Sequence, residues 1–277
     1  MARARNGAVE LEYETFGAPD APAILLINGL GSQMTRWPEA FCARLTGEGF
    51  RAIRFDNRDT GLSTWFKPGE AYTLSDMAAD AMAVLDAAGV AQAHVAGVSM
   101  GGMIGQAVAI EHPGRTLSLT SIMSASGAPG TLDSTPEAGA VLSATPPDPK
   151  ADFEAFLAHA VKNALVIGSP GFPWPEGALR ERAIAEYERA FNPTGSQRQM
   201  AAIRGDGDRT ERLGALKVPT VVLHGADDPL VPLAGGVATS QAIPGAELRV
   251  IEGMGHDLPP ALFDIVAEAI LAAAARA

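Results

Sequence analysis

The chain has 277 residues, 47% hydrophobic and 19% charged, a balance that excludes a disordered or collagen-like polypeptide and allows one large α/β domain or two small ones. Lys and Arg number 21 against 32 Asp and Glu, so the formal net charge is −11, and a surface of that sign repels nucleic-acid phosphates and anionic lipid. The single cysteine, Cys42, cannot form an intrachain disulfide.

Arg3 and Arg5 are followed by no apolar run, so no export signal is visible and a soluble, cytoplasmic protein is expected. The most apolar stretches, Ala23 to Ile27 and Ala261 to Ala277, are too short or carry Asp264 and Glu268, and neither suits a bilayer. Val9 to Tyr13 alternates apolar and acidic residues, the pattern of an edge strand. Ala23 to Ile27 is continuously apolar and stops at Asn28-Gly29, which predicts a buried parallel strand. A helix is expected over Trp37 to Gly47 and a strand over Arg51 to Phe55, completing a βαβ unit. The alternation continues with a helix over Leu74 to Ala88, a strand over His94 to Val98, a helix over Met103 to Glu111 and a strand over Thr116 to Met123.

After Ser126 the prolines and glycines crowd too closely for one regular element, and this marks a boundary. Helices over Asp152 to Val166 and Gly177 to Phe191 then form a small insertion, placed at 128–208 between two parts of a core, 1–127 and 209–277. Strands resume at Pro219 to Leu223 and Glu247 to Ile251, and a helix from about Ala261 closes the chain.

The strongest chemical signal is Gly97-Val98-Ser99-Met100-Gly101, a G-x-S-x-G sequence set between a predicted strand and a predicted helix. A turn this tight strains its central residue and needs glycine-sized neighbours, while the following helix aims free N–H groups at an incipient oxyanion. Ser99 is therefore the candidate nucleophile. Of the five histidines only His256 lies in a loop after a strand near the C-terminus, and it is the candidate base. Leu223 to Pro232 holds two candidates for an orienting acid, Asp227 and Asp228, in the chain order Ser, acid, His.

These residues resemble the α/β-hydrolase superfamily over essentially the whole chain. Ile53 to Ser63, Gly97 to Gly102 and Glu252 to Pro259 are most similar to the small carboxylesterases related to aclacinomycin methylesterase. The resemblance implies an α/β-hydrolase fold, a mostly parallel twisted sheet flanked by helices with a small helical cap. The family's usual spacing of Gly, two residues, Asp, three residues, Pro is met by Gly225, Asp228 and Pro232, which selects Asp228 as the acid. Its oxyanion hole implies backbone N–H donors at Leu30 and Met100, although this chain has Asn28-Gly29 where many members carry His-Gly.

Dinucleotide, P-loop, zinc and calcium signatures are all incomplete, so no cofactor or metal is implied. The expected function is a serine carboxylesterase acting on small neutral esters through an acyl-enzyme. A lactonase or perhydrolase would use the same triad, and a non-catalytic receptor is the alternative outside enzymes. The expected partner is a small-molecule ester or lactone, with no nucleic acid or membrane. In Phe172-Pro173-Trp174-Pro175 the alternating prolines favour an extended loop, leaving Trp174 to cover an apolar substrate pocket. No basic residue lies between Ala164 and Leu179 to favour an anionic substrate.

Overall fold

A strand that is apolar at every position must be covered on both faces, and in the computed structural model, which describes residues 2–277, Ala23–Ile27 is covered in that way. Leu25 and Ile27 join one hydrophobic cluster, while Ile24 and Leu26 join the other. This strand is β3 of a sheet formed with β1 (Ala2–Asn6), β2 (Val9–Phe16), β4 (Arg51–Phe55), β5 (Ala93–Val98), β6 (Thr116–Ile122), β7 (Thr220–Gly225) and β8 (Glu247–Ile251). The eight strands lie in the order β1-β2-β4-β3-β5-β6-β7-β8. All pairings from β4 to β8 are parallel, and only the two involving β2 are antiparallel.

Helices cover both faces, as parallel strands require. On one side lie α1 (Glu39–Gly47) and a C-terminal helix, Phe263–Ala274, which together bury Phe41, Leu45, Phe263 and Ile270. On the other, α2 (Leu74–Ala87) and α3 (Met100–Glu111) bury Leu74, Leu85, Ile104 and Val108. Thr73 starts α2 with a capping box, its hydroxyl accepting from the Asp76 N–H while the Asp76 carboxylate accepts from the Thr73 N–H. Between β6 and β7 come α4 (Pro136–Ser143), α5 (Phe153–Ile167), α6 (Ala178–Arg189), α7 (Gly195–Asp206) and the short α8 (Thr210–Leu213). Then α9 (Leu233–Ala242) precedes β8, and Phe263–Ala274 is α10. Among the described residues no helix is long and apolar enough to cross a membrane.

One expectation needs correction. Val9–Phe16 is not the edge of the sheet, because Ala2–Asn6 pairs outside it through a tight turn with Gly7 at φ 59°. The strand β1 escapes a hydropathy reading because only Ala4 of its five residues is buried, while Arg3 and Arg5 pair across to Glu10 and Glu12. The proline-rich stretch after Ser126 is not one regular element, as expected, but it holds the short α4. Pro136 sits in the first turn of α4, where its missing N–H costs nothing, and the Thr135 hydroxyl caps that helix.

The insertion is fastened to the core by a loop that runs out of β4, Asp56 to Gly61. Asp59, at φ 66°, is fully buried between the insertion and the core: Arg198 donates two bonds to its carboxylate at 2.7 and 2.8 Å, and the Tyr72 hydroxyl and Phe66 N–H donate at 2.8 Å each. Asp56 pairs with Arg189 of α6 at 2.7 Å, and Arg36 of the core with Glu186 at 2.7 Å. Burial opposes ionisation of Asp59, yet the bonds from Arg198, the Phe66 N–H and Tyr72 outweigh it and hold the carboxyl below its ordinary range. The pair accordingly stabilises the fold above about pH 4, where an unfolded aspartate is ionised, and its contribution disappears as the pH falls through and below that value. Asp59→Asn leaves Arg198 without its partner, and a loss of about 3 kcal/mol is expected in urea unfolding at pH 7. The gap between the two proteins should narrow from pH 6 towards pH 3; a gap independent of pH would contradict the ion pair as its cause.

Candidate active site

The chain leaves β5 and enters α3 with a single residue between them. That residue is Ser99, and its backbone at φ 56° and ψ −121° lies outside the regions open to most side chains. The strain is forced by the neighbours. A Cβ on Gly97 would run into the Gly101 carbonyl, and one on Gly101 would run into the carbonyls of Ile27 and Asn28, so both flanking glycines are steric requirements. Ser99 occupies the N-cap position without capping the helix through its side chain, and its hydroxyl turns instead to His256.

The His256 Nε2 atom lies 3.0 Å from Ser99 Oγ, and His256 Nδ1 lies 2.7 Å from Asp228 Oδ2. The other Asp228 oxygen accepts the Leu230 and Val231 N–H groups, each at 2.9 Å, which fixes the carboxylate plane. Three residues predicted from separate parts of the chain are thus joined in one line. Asp227 points elsewhere: it is exposed, and its carboxylate accepts the Gly253 N–H at 2.8 Å, tethering the loop before His256. His224, wholly buried behind Asp228, bonds the Val231 carbonyl through Nε2 at 2.8 Å, and burial lowers its proton affinity. His94 and His159 have local partners in Ser118 and Asn163.

The loop after β3 is pressed against the elbow. A Cβ at Gly29 would stand 3.2 Å from both Ser99 Cβ and the Val98 carbonyl oxygen, tighter than an ordinary contact. Met100 is the first residue of α3, where N–H groups have no partner within the helix. Of the two predicted backbone donors, Leu30 thus follows the glycine packed on the elbow and Met100 follows Ser99 itself.

Trp174 is not brought into this line. Its loop has no regular secondary structure, and the indole N–H donates to Asp257 at 2.7 Å while the Arg182 guanidinium lies 4.6 Å over its ring. It lines a groove of about 710 Å³ with Leu165, Pro173, Asp227 and Asp257, which none of Ser99, His256, Leu30 and Met100 lines. Sequence reasoning missed this clasp on the His256 loop. Ser169 donates to Asp257 at 2.5 Å and accepts the Gly255 N–H at 2.9 Å, the His256 N–H donates to the Ile167 carbonyl at 2.7 Å, and the Gly171 N–H donates to that of Gly253 at 2.8 Å. Burial raises the affinity of Asp257 for its proton, against the pull of the Ser169 and Trp174 bonds. No motif marks these contacts, because they join residues about 85 positions apart, several of them through backbone atoms.

Residues 22–259 match the family model described as alpha/beta hydrolase fold. The chain belongs to the α/β-hydrolase family. It is a hydrolase of that family and shares 30% identity with the rhodomycin D methylesterase DauP of Streptomyces sp. (strain C5), over 95% of this chain and 94% of that protein. Among solved structures it is similar to the meta-cleavage product hydrolase CumD of Pseudomonas fluorescens IP01, with a TM-score of 0.79 and 18% identity over 100% of this chain and 98% of that one. It is also similar to an N-acyl homoserine lactone degrading enzyme, with a TM-score of 0.69 and 25% identity over 96% of this chain and 95% of that one.

Proposed function

We propose that the chain is a serine carboxylesterase that hydrolyses small neutral esters through an acyl-enzyme. The observation that carries this reading is the unbroken line from Ser99 Oγ to His256 Nε2 at 3.0 Å and from His256 Nδ1 to Asp228 Oδ2 at 2.7 Å. Ser99 Oγ attacks the ester carbonyl as His256 Nε2 takes its proton, and the imidazolium is stabilised by the Asp228 carboxylate. The tetrahedral oxyanion lies between the Leu30 and Met100 N–H groups, where a single donor in comparable sites is worth about 3 to 4 kcal/mol. Collapse expels the alkoxide, which receives the proton from His256. Water then attacks the acyl-enzyme, giving its proton to His256, and the acid leaves as Ser99 regains it.

The similarity to a methylesterase supports an ester over an amide, and the similarity to a lactone-degrading structure favours lactones, which are cyclic esters, as the second reading. A panel of 4-nitrophenyl esters, methyl esters, thioesters and lactones separates the two readings. Turnover highest on neutral open-chain esters is the expected result, and preference for lactones by more than tenfold in kcat/KM would replace it. Absence of any turnover would leave a non-catalytic receptor.

Trp174→Phe tests whether the indole belongs to the substrate wall or to the clasp. The ring area is largely kept while the bond to Asp257 is lost, so a lower Tm with an unchanged ester chain-length profile is expected. A changed profile at unchanged Tm would restore Trp174 to the substrate pocket.

A further inference from the structure

Gln199 lies on α7, far along the chain from the elbow, and its residue is 0% exposed. A fully buried primary amide must place two donors and an acceptor, and this one does so across an interface. Its Oε1 accepts the Gly31 N–H at 2.7 Å. Its Nε2 donates to the Arg58 carbonyl and to the Thr60 hydroxyl, each at 2.9 Å. One side chain of the insertion thus ties the loop after β3 to the loop after β4.

The bonded peptide is the one that follows Leu30. Gly29 to Ser32 is a tight turn closed by the Ser32 N–H on the Gly29 carbonyl at 3.2 Å, with Gly31 at φ 64°. The peptide before Gly29 is held as well, since the Asn57 amide donates to the Asn28 carbonyl at 3.0 Å. Asn57 and Gln199 therefore grip the turn before and after Leu30. The neighbouring Arg198 donates two bonds to Asp59, a second tie between α7 and the core beside Gln199. With no bond from Gln199, the Gly31 N–H loses its protein acceptor, and the turn that carries Leu30 loses its tie to α7.

We infer that Gln199 is a positioning residue for the oxyanion hole, acting through Gly31 to hold the Leu30 N–H in line with Ser99. This rests on the esterase reading above, in which Leu30 is a donor. It makes the insertion part of the catalytic geometry: α7 sets one of the two N–H groups that meet charge as it develops. Misalignment should appear in the transition state and hardly at all in substrate binding.

The test compares Gln199→Met, Gln199→Glu and Leu30→Pro on 4-nitrophenyl acetate, with active sites titrated by a fluorophosphonate and butaneboronic acid as the tetrahedral analogue. Met fills similar space without a hydrogen bond, Glu keeps an oxygen for the Gly31 N–H, and Pro at the second turn position deletes the Leu30 N–H with the φ that position favours. Gln199→Met is expected to lower kcat per titrated site by about 10- to 100-fold with KM within about twofold, and to weaken the boronic acid by a similar factor. Gln199→Glu, which keeps the acceptor for Gly31 but loses the donors to the Arg58 carbonyl and the Thr60 hydroxyl, should recover part of that loss. An unchanged kcat per titrated site, with only Tm or the active fraction reduced, would overturn the proposal and leave Gln199 a structural bridge. If Leu30→Pro weakens the boronic acid and Gln199→Met does not, the proposal fails while the oxyanion reading stands. If Leu30→Pro leaves the boronic acid unaffected, that reading fails as well.

Discussion

Ser99→Ala is expected to lower kcat for ester hydrolysis by about 10⁴- to 10⁶-fold, because the account gives the bond-forming atom to Ser99 Oγ alone. Stability should hardly change. Alanine keeps the Cβ, so the backbone at φ 56° and ψ −121° is no more strained than before, and the only polar contact removed is the 3.0 Å bond to His256. Ser99→Gly would be equally inactive and at least as stable as Ser99→Ala, since glycine reaches this backbone without steric conflict. The pair is read by steady-state kinetics beside thermal unfolding. Activity within tenfold of the parent in either variant would remove Ser99 from the mechanism, and loss of cooperative unfolding in both would make its role structural.

The second large effect separates two adjacent aspartates. Asp228 receives two backbone N–H groups on Oδ1, at 2.9 Å each, and His256 on Oδ2 at 2.7 Å. Asparagine at 228 will keep its oxygen on the two N–H groups and so turn its NH₂ towards His256 Nδ1. That ring nitrogen must then accept, the proton moves to Nε2, and Nε2 can no longer take the proton of Ser99. A fall in kcat of up to about 10⁴-fold is expected from this wrong tautomer. Asp227→Asn keeps an oxygen for the Gly253 N–H, and its kcat should stay within about threefold of the parent. The reverse ranking in kcat would move the acid to Asp227 and break the line described here.

Much of this arrangement is legible in the sequence because its causes are local. The unbroken Ala23–Ile27 run announces a strand covered on both sides, and Gly97 and Gly101 announce an elbow whose crowding only glycine relieves. Two helices that local reasoning passes over show why legibility stops. The α9 segment carries adjacent glycines, which weaken an isolated helix. A Cβ at Gly236 would meet the His224 ring, and one at Gly235 the Thr131 carbonyl, so close packing on β7 requires the residues that propensity disfavours. The α7 segment begins Gly-Ser-Gln-Arg-Gln and looks like a polar loop, yet Arg198 and Gln199 point inward to Asp59 and Gly31. Polar residues that bury themselves in long-range bonds leave no hydrophobic period to read. Asp59 carries a motif-like setting in Asp56 to Gly61, but its role in fastening the insertion depends on an arginine 139 residues away.

The central claim is that Ser99, activated through His256, forms the covalent bond to the acyl group. Reaction with a fluorophosphonate, followed by peptide mapping by mass spectrometry, tests this most directly, because the reagent marks an activated serine and leaves ordinary ones untouched. The account predicts one adduct per chain, located on Ser99, formed in parallel with the loss of esterase activity and slowed by orders of magnitude in His256→Gln. An adduct on any other residue, or full ester turnover after Ser99 is completely labelled, would contradict it.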